Sequence, residues 1–179
     1  RHDAGGQRGA TPLHYAAENG HLSICELITK HVRDQNPSDE DGTTPLHMAV
    51  NEGHFDICQL LLQNTKNRNP KNNKGRTPLH LAALTGQTQM VMDLMNGLVD
   101  KNPSEKLERV TPLHLAASAG FASVCHLIIK NIEVENINPK NKRGVTPLQL
   151  AVKSGLVSVC KLIIDNLSDK NPKDSCENT

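Results

Sequence analysis

Histidine and cysteine are the residues of this chain best suited to chemistry, and each recurs at a regular interval. The recurring histidines are His14, His47, His80 and His114, and the recurring cysteines are Cys25, Cys58, Cys125 and Cys160. Zinc binds such side chains through bonds of ~2 Å, whereas packed helices lie roughly 8–10 Å apart. Histidines on neighbouring units are therefore too distant to share one ion. No CxxC or HExxH motif occurs. We expect no metal or cofactor, and we expect these histidines to hydrogen-bond within and between neighbouring units.

The recurring cysteine position indicates packing. Val91 fills it in the third unit, and a site that accepts Cys or Val is typically a small buried apolar one. Cysteines one unit apart exceed the ~7 Å Cα limit for a disulfide. We expect four reduced and protected thiols, with a fifth, Cys176, exposed in a turn. Reduced thiols without an apolar leader in Arg1 to Ala10 favour a cytoplasmic location, with the nucleus as an alternative.

Composition and motifs exclude several classes of function. Lys and Arg total 20 and Asp and Glu total 19, so the chain lacks the basic excess of a protein that binds nucleic acid. Two Phe, one Tyr and no Trp leave little for stacking on single-stranded bases. No apolar run of about 18 residues is present, so we expect no membrane insertion. Neither a phosphate-binding glycine loop nor a GxSxG motif occurs, and we expect no enzymatic activity.

An internal repeat must position all these residues. Thr-Pro-Leu begins at Thr11, Thr44, Thr77, Thr111 and Thr146, and Asn-Pro begins at Asn36, Asn69, Asn102, Asn138 and Asn171. The two series place the repeats at about 3–35, 36–68, 69–101, 102–137 and 138–170, with 171–179 the start of a sixth. Their offsets give the fourth repeat one extra residue before its first helix and two after its second. A fixed period of this length is typical of stacked solenoids.

Each repeat reads as two short helices. Thr11 precedes Pro12, which suits the first helical position because its missing N–H would be unpaired there anyway. Leu13, Ala16 and Ala17 share one helical face, and Gly20 ends the helix. A second apolar helix follows in each repeat. We expect it to close in the left-handed conformation at one shared position, occupied by Asn64, Gly97, Asn131 and Asn166.

These residues resemble the ankyrin repeat. Its Thr-Pro-Leu-His core appears as Thr11 to His14 and recurs from Thr44, Thr77 and Thr111, while the fifth copy ends in Gln149. The resemblance implies one all-α domain over 1–179, a solenoid of stacked antiparallel helix pairs with projecting β-turn or hairpin loops. We expect the chain to be an excerpt of a longer array. In this family, turn asparagines are hydroxylated by an oxygen-sensing enzyme; Asn69 and Asn102 fit that pattern in part, and the proline after each departs from it.

The resemblance also implies a binding surface. In the family the turn tips and the exposed side of the first helix form a concave face that binds proteins. Carried over by repeat position, the candidate site residues are Glu40, Asp41, Asn51, Glu52, Lys74, Arg76, Leu84, Leu107, Arg109, Val110, Lys142, Arg143, Val145 and Lys153. We expect a monomeric scaffold or adaptor that binds another protein or an extended peptide of acidic and apolar character. The alternative is a ligand- or nucleotide-sensing segment that regulates a larger enzyme or channel. Its only nearby aromatic residues, Tyr15 and Phe121, both read as structural.

Overall fold

A computed structural model describes residues 9–167 of the chain. That range contains ten α-helices, one 3₁₀ turn and no strand. The first helices of the five repeats are α1 (Pro12–Glu18), α3 (Pro45–Glu52), α5 (Pro78–Thr85), α7 (Pro112–Ala119) and α9 (Pro147–Lys153). The second helices are α2 (Leu22–His31), α4 (Phe55–Asn64), α6 (Thr88–Met95), α8 (Ala122–Lys130) and α10 (Val157–Asn166). The 3₁₀ turn covers Val134–Asn136. No described helix is both long enough and apolar enough to cross a bilayer.

The helices form two layers that run the length of the chain. Each first helix packs on its own second helix and on the first helices before and after it. The second helices contact one another in the same order. Contacts therefore run between neighbouring repeats, as expected of a solenoid. The predicted stack of helix pairs is confirmed. Cys176 and the predicted start of a sixth repeat at 171–179 lie outside the described residues.

The start of every first helix is coded locally. The capping threonine has extended backbone and proline follows it at the first helical position. Three residues later the side chain returns to accept a hydrogen bond from the threonine N–H, completing a capping box. Glycine in the left-handed conformation ends α3, α5 and α7, with φ of 81° at Gly53, 74° at Gly86 and 84° at Gly120.

The expected left-handed closure of the second helices is wrong for the asparagines. Gly97 has a φ of 79°, but Asn64, Asn131 and Asn166 do not adopt positive φ. Each asparagine instead donates its side-chain amide to the carbonyl oxygen four residues earlier, at 2.7, 2.8 and 2.9 Å respectively. The amide thus adds a side-chain hydrogen bond to the last turn of each helix. These asparagines act at the helix end through their side chains and not through a left-handed backbone.

The core lies between the two layers and is continuous through all five repeats. Cys25, Cys58 and Cys125 are 0–1% exposed, and Val91 at the same position is 0% exposed, as predicted. Burial raises the pKa of the Cys58 and Cys125 thiols to about 12, which keeps them protonated and unreactive. Cys160 departs from the prediction of full protection because it is only partly buried. Within the described residues no further repeat packs over it.

Both irregularities of the fourth repeat have defined structures. The extra residue before α7 lengthens the turn between Glu105 and Val110. In the other described turns, Asp39, Asn72 or Asn141 accepts hydrogen bonds from the N–H groups two and four residues later. Glu105 occupies this position in the fourth repeat. Its carboxylate accepts hydrogen bonds from the N–H groups two, three and five residues later. The two extra residues after α8 are accommodated by the three-residue 3₁₀ turn, beyond which Ile137 is 2% exposed.

Candidate functional site

The recurring histidines join neighbouring repeats, as predicted. Nδ1 of each ring accepts from the threonine N–H of its own repeat, at 3.1 to 3.2 Å. The proton therefore lies on Nε2, which donates to a carbonyl oxygen in the turn of the next repeat, at 3.0 to 3.1 Å; the acceptors are Thr43, Arg76, Val110 and Val145. Burial lowers the pKa of His47 and His80 to about 4 and also lowers that of His114. Both ring nitrogens are engaged, so these histidines position the turns.

The turns are also bonded directly to one another. The Asn73 N–H donates to the carbonyl oxygen of Asp41, and its side-chain amide donates to that of Glu40. Lys106 and Lys142 repeat the backbone bond, to Lys74 and Glu108 respectively. Asn36, Asn69, Asn102 and Asn138 tie each turn to the following helix, because their side-chain oxygens accept from the leucine N–H groups of Leu46, Leu79, Leu113 and Leu148. The turn tips and the exposed sides of the first helices together form one surface, hereafter the groove face.

The acidic candidates belong to the second repeat, with Glu40 and Asp41 at the turn tip and Glu52, beside Asn51, at the end of α3. Glu40, Asp41, Asn51 and Glu52 are all exposed. The Asn51 amide donates to the Glu52 carboxylate at 2.7 Å, which places the two side chains together. Exposed carboxylates of this kind steer an approaching ligand more than they hold it.

The basic candidates are exposed but not all free. Lys74, Arg76, Lys142 and Lys153 are exposed. Arg143 pairs with Glu108, Nε to Oε2 at 3.1 Å, across the junction between the fourth and fifth repeats. The Arg143 and Glu108 side chains are 76% and 43% exposed, so the pair contributes no more than about 1 kcal/mol to stability. The positive charge available to a ligand at this end therefore rests mainly with Lys142 and Lys153.

An apolar row crosses the groove face, and the sequence prediction missed it. It consists of the residues four positions after each capping threonine, namely Tyr15, Met48, Leu81, Leu115 and Leu150. Tyr15, expected to be structural, is 43% exposed, and the other four are partly exposed. Leu84 beside the row is 42% exposed. The signal was present in the sequence, because all five repeats place an apolar residue at this position. This position directly precedes the core-facing alanines in sequence, so the pattern alone did not distinguish its partial exposure from their burial.

The row ends in a cleft between the fourth and fifth repeats, with a volume of about 620 Å³. Leu115 and Leu150 lie in it together with the two apolar predicted site residues Val110 and Val145 and the two basic ones Arg143 and Lys153. Charged side chains surround these apolar ones, among them Glu108, Arg143 and Lys153. A pocket with apolar lining and a few charged groups suits one apolar side chain of a ligand together with an adjacent acid.

Two predicted site residues of the fourth repeat lie apart from this cleft. Leu107 is 58% exposed at the turn tip and is not among the residues that line it. Arg109 lines a different cavity, formed with residues that follow α8. Arg109 has a φ of 55° and is the one non-glycine residue with positive φ in the described range. Its position corresponds to Gly42, Gly75 and Gly144 in the other turns.

Comparison with known proteins agrees with the geometry. The family model described as "Ankyrin repeats (3 copies)" matches residues 1–70, 31–102, 64–138 and 86–174. These overlapping matches together reach from the start of the chain to residue 174. No curated protein matches the chain.

Proposed function

The chain belongs to the ankyrin-repeat family, and from that premise we propose that it is a scaffold or adaptor segment that binds an extended stretch of a partner protein along its groove face. Ankyrin repeats are in general protein–protein interaction modules and are typically not catalytic. The observation that carries the proposal is the partly exposed apolar row from Tyr15 to Leu150, which leads into the cleft beside Val110 and Val145. A row of partly exposed apolar groups rimmed by charge is the usual composition of a protein-binding surface.

The charge order gives the ligand a direction. Acidic residues stand at the second repeat, and the cations of the third and fifth repeats stand further along. An acidic and apolar stretch of the partner fits the third to fifth repeats, with any basic residues toward Glu40 and Glu52. Apolar side chains buried in the cleft supply most of the affinity, because exposed charge pairs contribute little by themselves.

The cleft is the place to test the proposal. Short peptides selected from a random displayed library should be enriched in an apolar residue next to Asp or Glu. The double variant Leu150→Asp with Lys153→Glu should weaken the selected peptides at least about tenfold, because it places charge in the apolar row and repels the acid. Lys153 is exposed and Leu150 is partly exposed, so circular dichroism should show an unchanged fold.

Lys161→Glu is the matched control, because Lys161 is exposed on the second-helix layer of the same repeat. It should leave peptide binding unchanged. If Lys161→Glu abolishes binding and the cleft variant does not, the groove face is not the binding surface.

No observation in the described residues favours the nucleotide-sensing alternative. Phe121 packs in the junction between the third and fourth repeats, where a Cβ added to Gly86 would come within 2.5 Å of the ring. The Phe121 ring therefore packs between repeats and is not available to stack on a nucleotide base. Tyr15 remains as one aromatic residue on the groove face, at the first repeat and far along the chain from the cleft.

A further inference from the structure

A second cavity, hereafter the back cavity, lies beside the fourth repeat and shares no lining residue with the groove cleft. Its volume is about 350 Å³. Asp100, Lys101 and Asn102 line one side, Asn131 and Glu133 another, and Arg109 and Lys140 complete the charged lining. Both insertions of the fourth repeat border it, because Arg109 belongs to the lengthened turn and Asn136 to the 3₁₀ turn.

Arg109 occupies a position that favours glycine. Gly42, Gly75 and Gly144 stand there in the other repeats, with φ of 71° to 78°. A residue with a Cβ is strained in this conformation, because the Cβ lies too close to the following carbonyl oxygen. We therefore expect the turn to be more stable with glycine, although Arg109 adds a cation to the lining of the back cavity.

The cations of the back cavity have no protein partner within the described residues. The Arg109 guanidinium donates no hydrogen bond there, and neither Lys101 nor Lys140 forms an ion pair. The Asp100 carboxylate is partly engaged, because it accepts from the Asn102 N–H at 3.1 Å. The Asn102 side-chain oxygen accepts from Leu113, so its amide hydrogens remain free to donate. Three cations and a free amide thus face two carboxylates, those of Asp100 and Glu133.

We propose that the back cavity binds a phosphoryl group, with Arg109 as its main ligand and Lys101 and Lys140 as supporting cations. A guanidinium forms two parallel hydrogen bonds with a phosphate and stays charged at every physiological pH, so arginine is the residue best suited to this task. The lysines add positive charge without fixed geometry. The site is independent of the groove face, since no groove-cleft residue contributes to it.

Isothermal titration of the whole chain with inorganic pyrophosphate and, in a separate arm, with O-phosphoserine tests this site at low salt. Wild type should bind at least one of the two saturably, and the arm that binds identifies the carrier of the phosphoryl group. Arg109→Gly should weaken binding at least about tenfold while leaving the thermal midpoint equal or higher, because glycine relieves the strained turn. Glu133→Gln should strengthen binding, because it removes a negative charge that faces the anion.

Lys161→Ala is the matched control, because Lys161 is an exposed cation of the fifth repeat that lines neither the back cavity nor the groove cleft. It should change the affinity less than twofold. The proposal is overturned by the absence of saturable binding in both arms, by unchanged binding in Arg109→Gly, or by an equal loss in Lys161→Ala. A lower thermal midpoint for Arg109→Gly would also overturn it, because the guanidinium would then be holding the fold.

Discussion

Val50 and Val152 occupy the same position in the second and fifth repeats, yet Val50 is 0% exposed and Val152 is 63% exposed. Ile57 and Ile24 show the same difference at the other end of the array, at 1% and 48%. The residues, their helices and their places in the repeat are alike. The difference comes from the neighbouring repeat, which covers the interior position and does not cover the end position within the described residues. Cohesion in this molecule therefore lies in the junctions between repeats.

The largest expected effect is on the valine pair. Val50→Asp places a carboxylate where no water or partner reaches it, and should lower the free energy of unfolding by about 4 kcal/mol or more. Val152→Asp places the same charge at an exposed site and should change it by about 0.5 kcal/mol or less. Urea denaturation followed by circular dichroism measures both. Equal losses in the two variants would show that burial within a single repeat, and not the junction, sets stability.

Acid should weaken the junctions that His47 and His80 bridge. Burial holds the pKa of His47 and His80 at about 4, below the ordinary value near 6.5. The unfolded chain therefore binds more protons between pH 6.5 and pH 4, so stability is full above this window and falls as the pH is lowered through it. The loss is on the order of 3 kcal/mol for each histidine. Urea midpoints measured across this pH range should fall accordingly.

His80→Gln sharpens that prediction. Gln149 already replaces histidine in the fifth repeat, where its side-chain oxygen accepts from the Thr146 N–H at 2.9 Å. Glutamine at position 80 can keep both hydrogen bonds but does not titrate. Between pH 6.5 and pH 4 the variant should lose less stability than wild type, and the difference should equal the contribution of one histidine. An identical pH dependence in the variant would contradict the assignment of acid sensitivity to this ring.

Truncating Ile57 and Ile24 to alanine should also lower the free energy of unfolding unequally, with a smaller difference than for the valine pair. Ile57→Ala should cost about 2–4 kcal/mol, because it leaves a cavity in the junction with the first repeat. Ile24→Ala should cost about 1 kcal/mol, since half of this side chain is already in water. Thermal unfolding of the two variants gives the difference. The comparison fails if Ile24→Ala is the more destabilising.

Thiol labelling compares interior and end without changing the sequence. Cys160 should react with a small maleimide before Cys25, Cys58 and Cys125, because it alone of the four is only partly buried. Mass spectrometry of digested, briefly labelled protein would give the order. Faster labelling of Cys58 or Cys125 would mean that a junction opens more readily than the end of the array.

The histidine bonds and the helix starts were predictable because short motifs encode them. Thr-Pro-Leu-His contains the cap, the first helical residue and the ring that reaches the next turn. The second-helix ends were predicted less well, because asparagine at a helix end can adopt a left-handed backbone or hydrogen-bond its side-chain amide to the last turn, and the sequence pattern is the same in both cases. The insertions of the fourth repeat could be counted from the sequence. The sequence did not predict that both insertions border one cavity, or that Arg109 lines this cavity and not the groove cleft, because both facts depend on the three-dimensional path of the two loops.

Burial differences between equivalent residues were also beyond the sequence. Val50 and Val152 look alike in the repeat pattern, and only the position of the next helix pair distinguishes them. The apolar row on the groove face was missed for a related reason. Partly exposed residues such as Leu115 and Leu150 lie beside core residues on the same short helix, and the periodic pattern alone does not separate the two sets.

Glu105 shows how an array of this kind can change length. The turn of the fourth repeat is one residue longer, and the side chain at its base is one methylene longer than that of Asp39 or Asn141. Either change alone would leave a backbone N–H unmatched, so the two are coupled and neither is neutral without the other. A compensated pair of this kind lengthens the turn by one residue, while α7 keeps its capping threonine, its first proline and its packing between α5 and α9. The spacing of a ligand's contacts can therefore evolve separately from the stack that displays them.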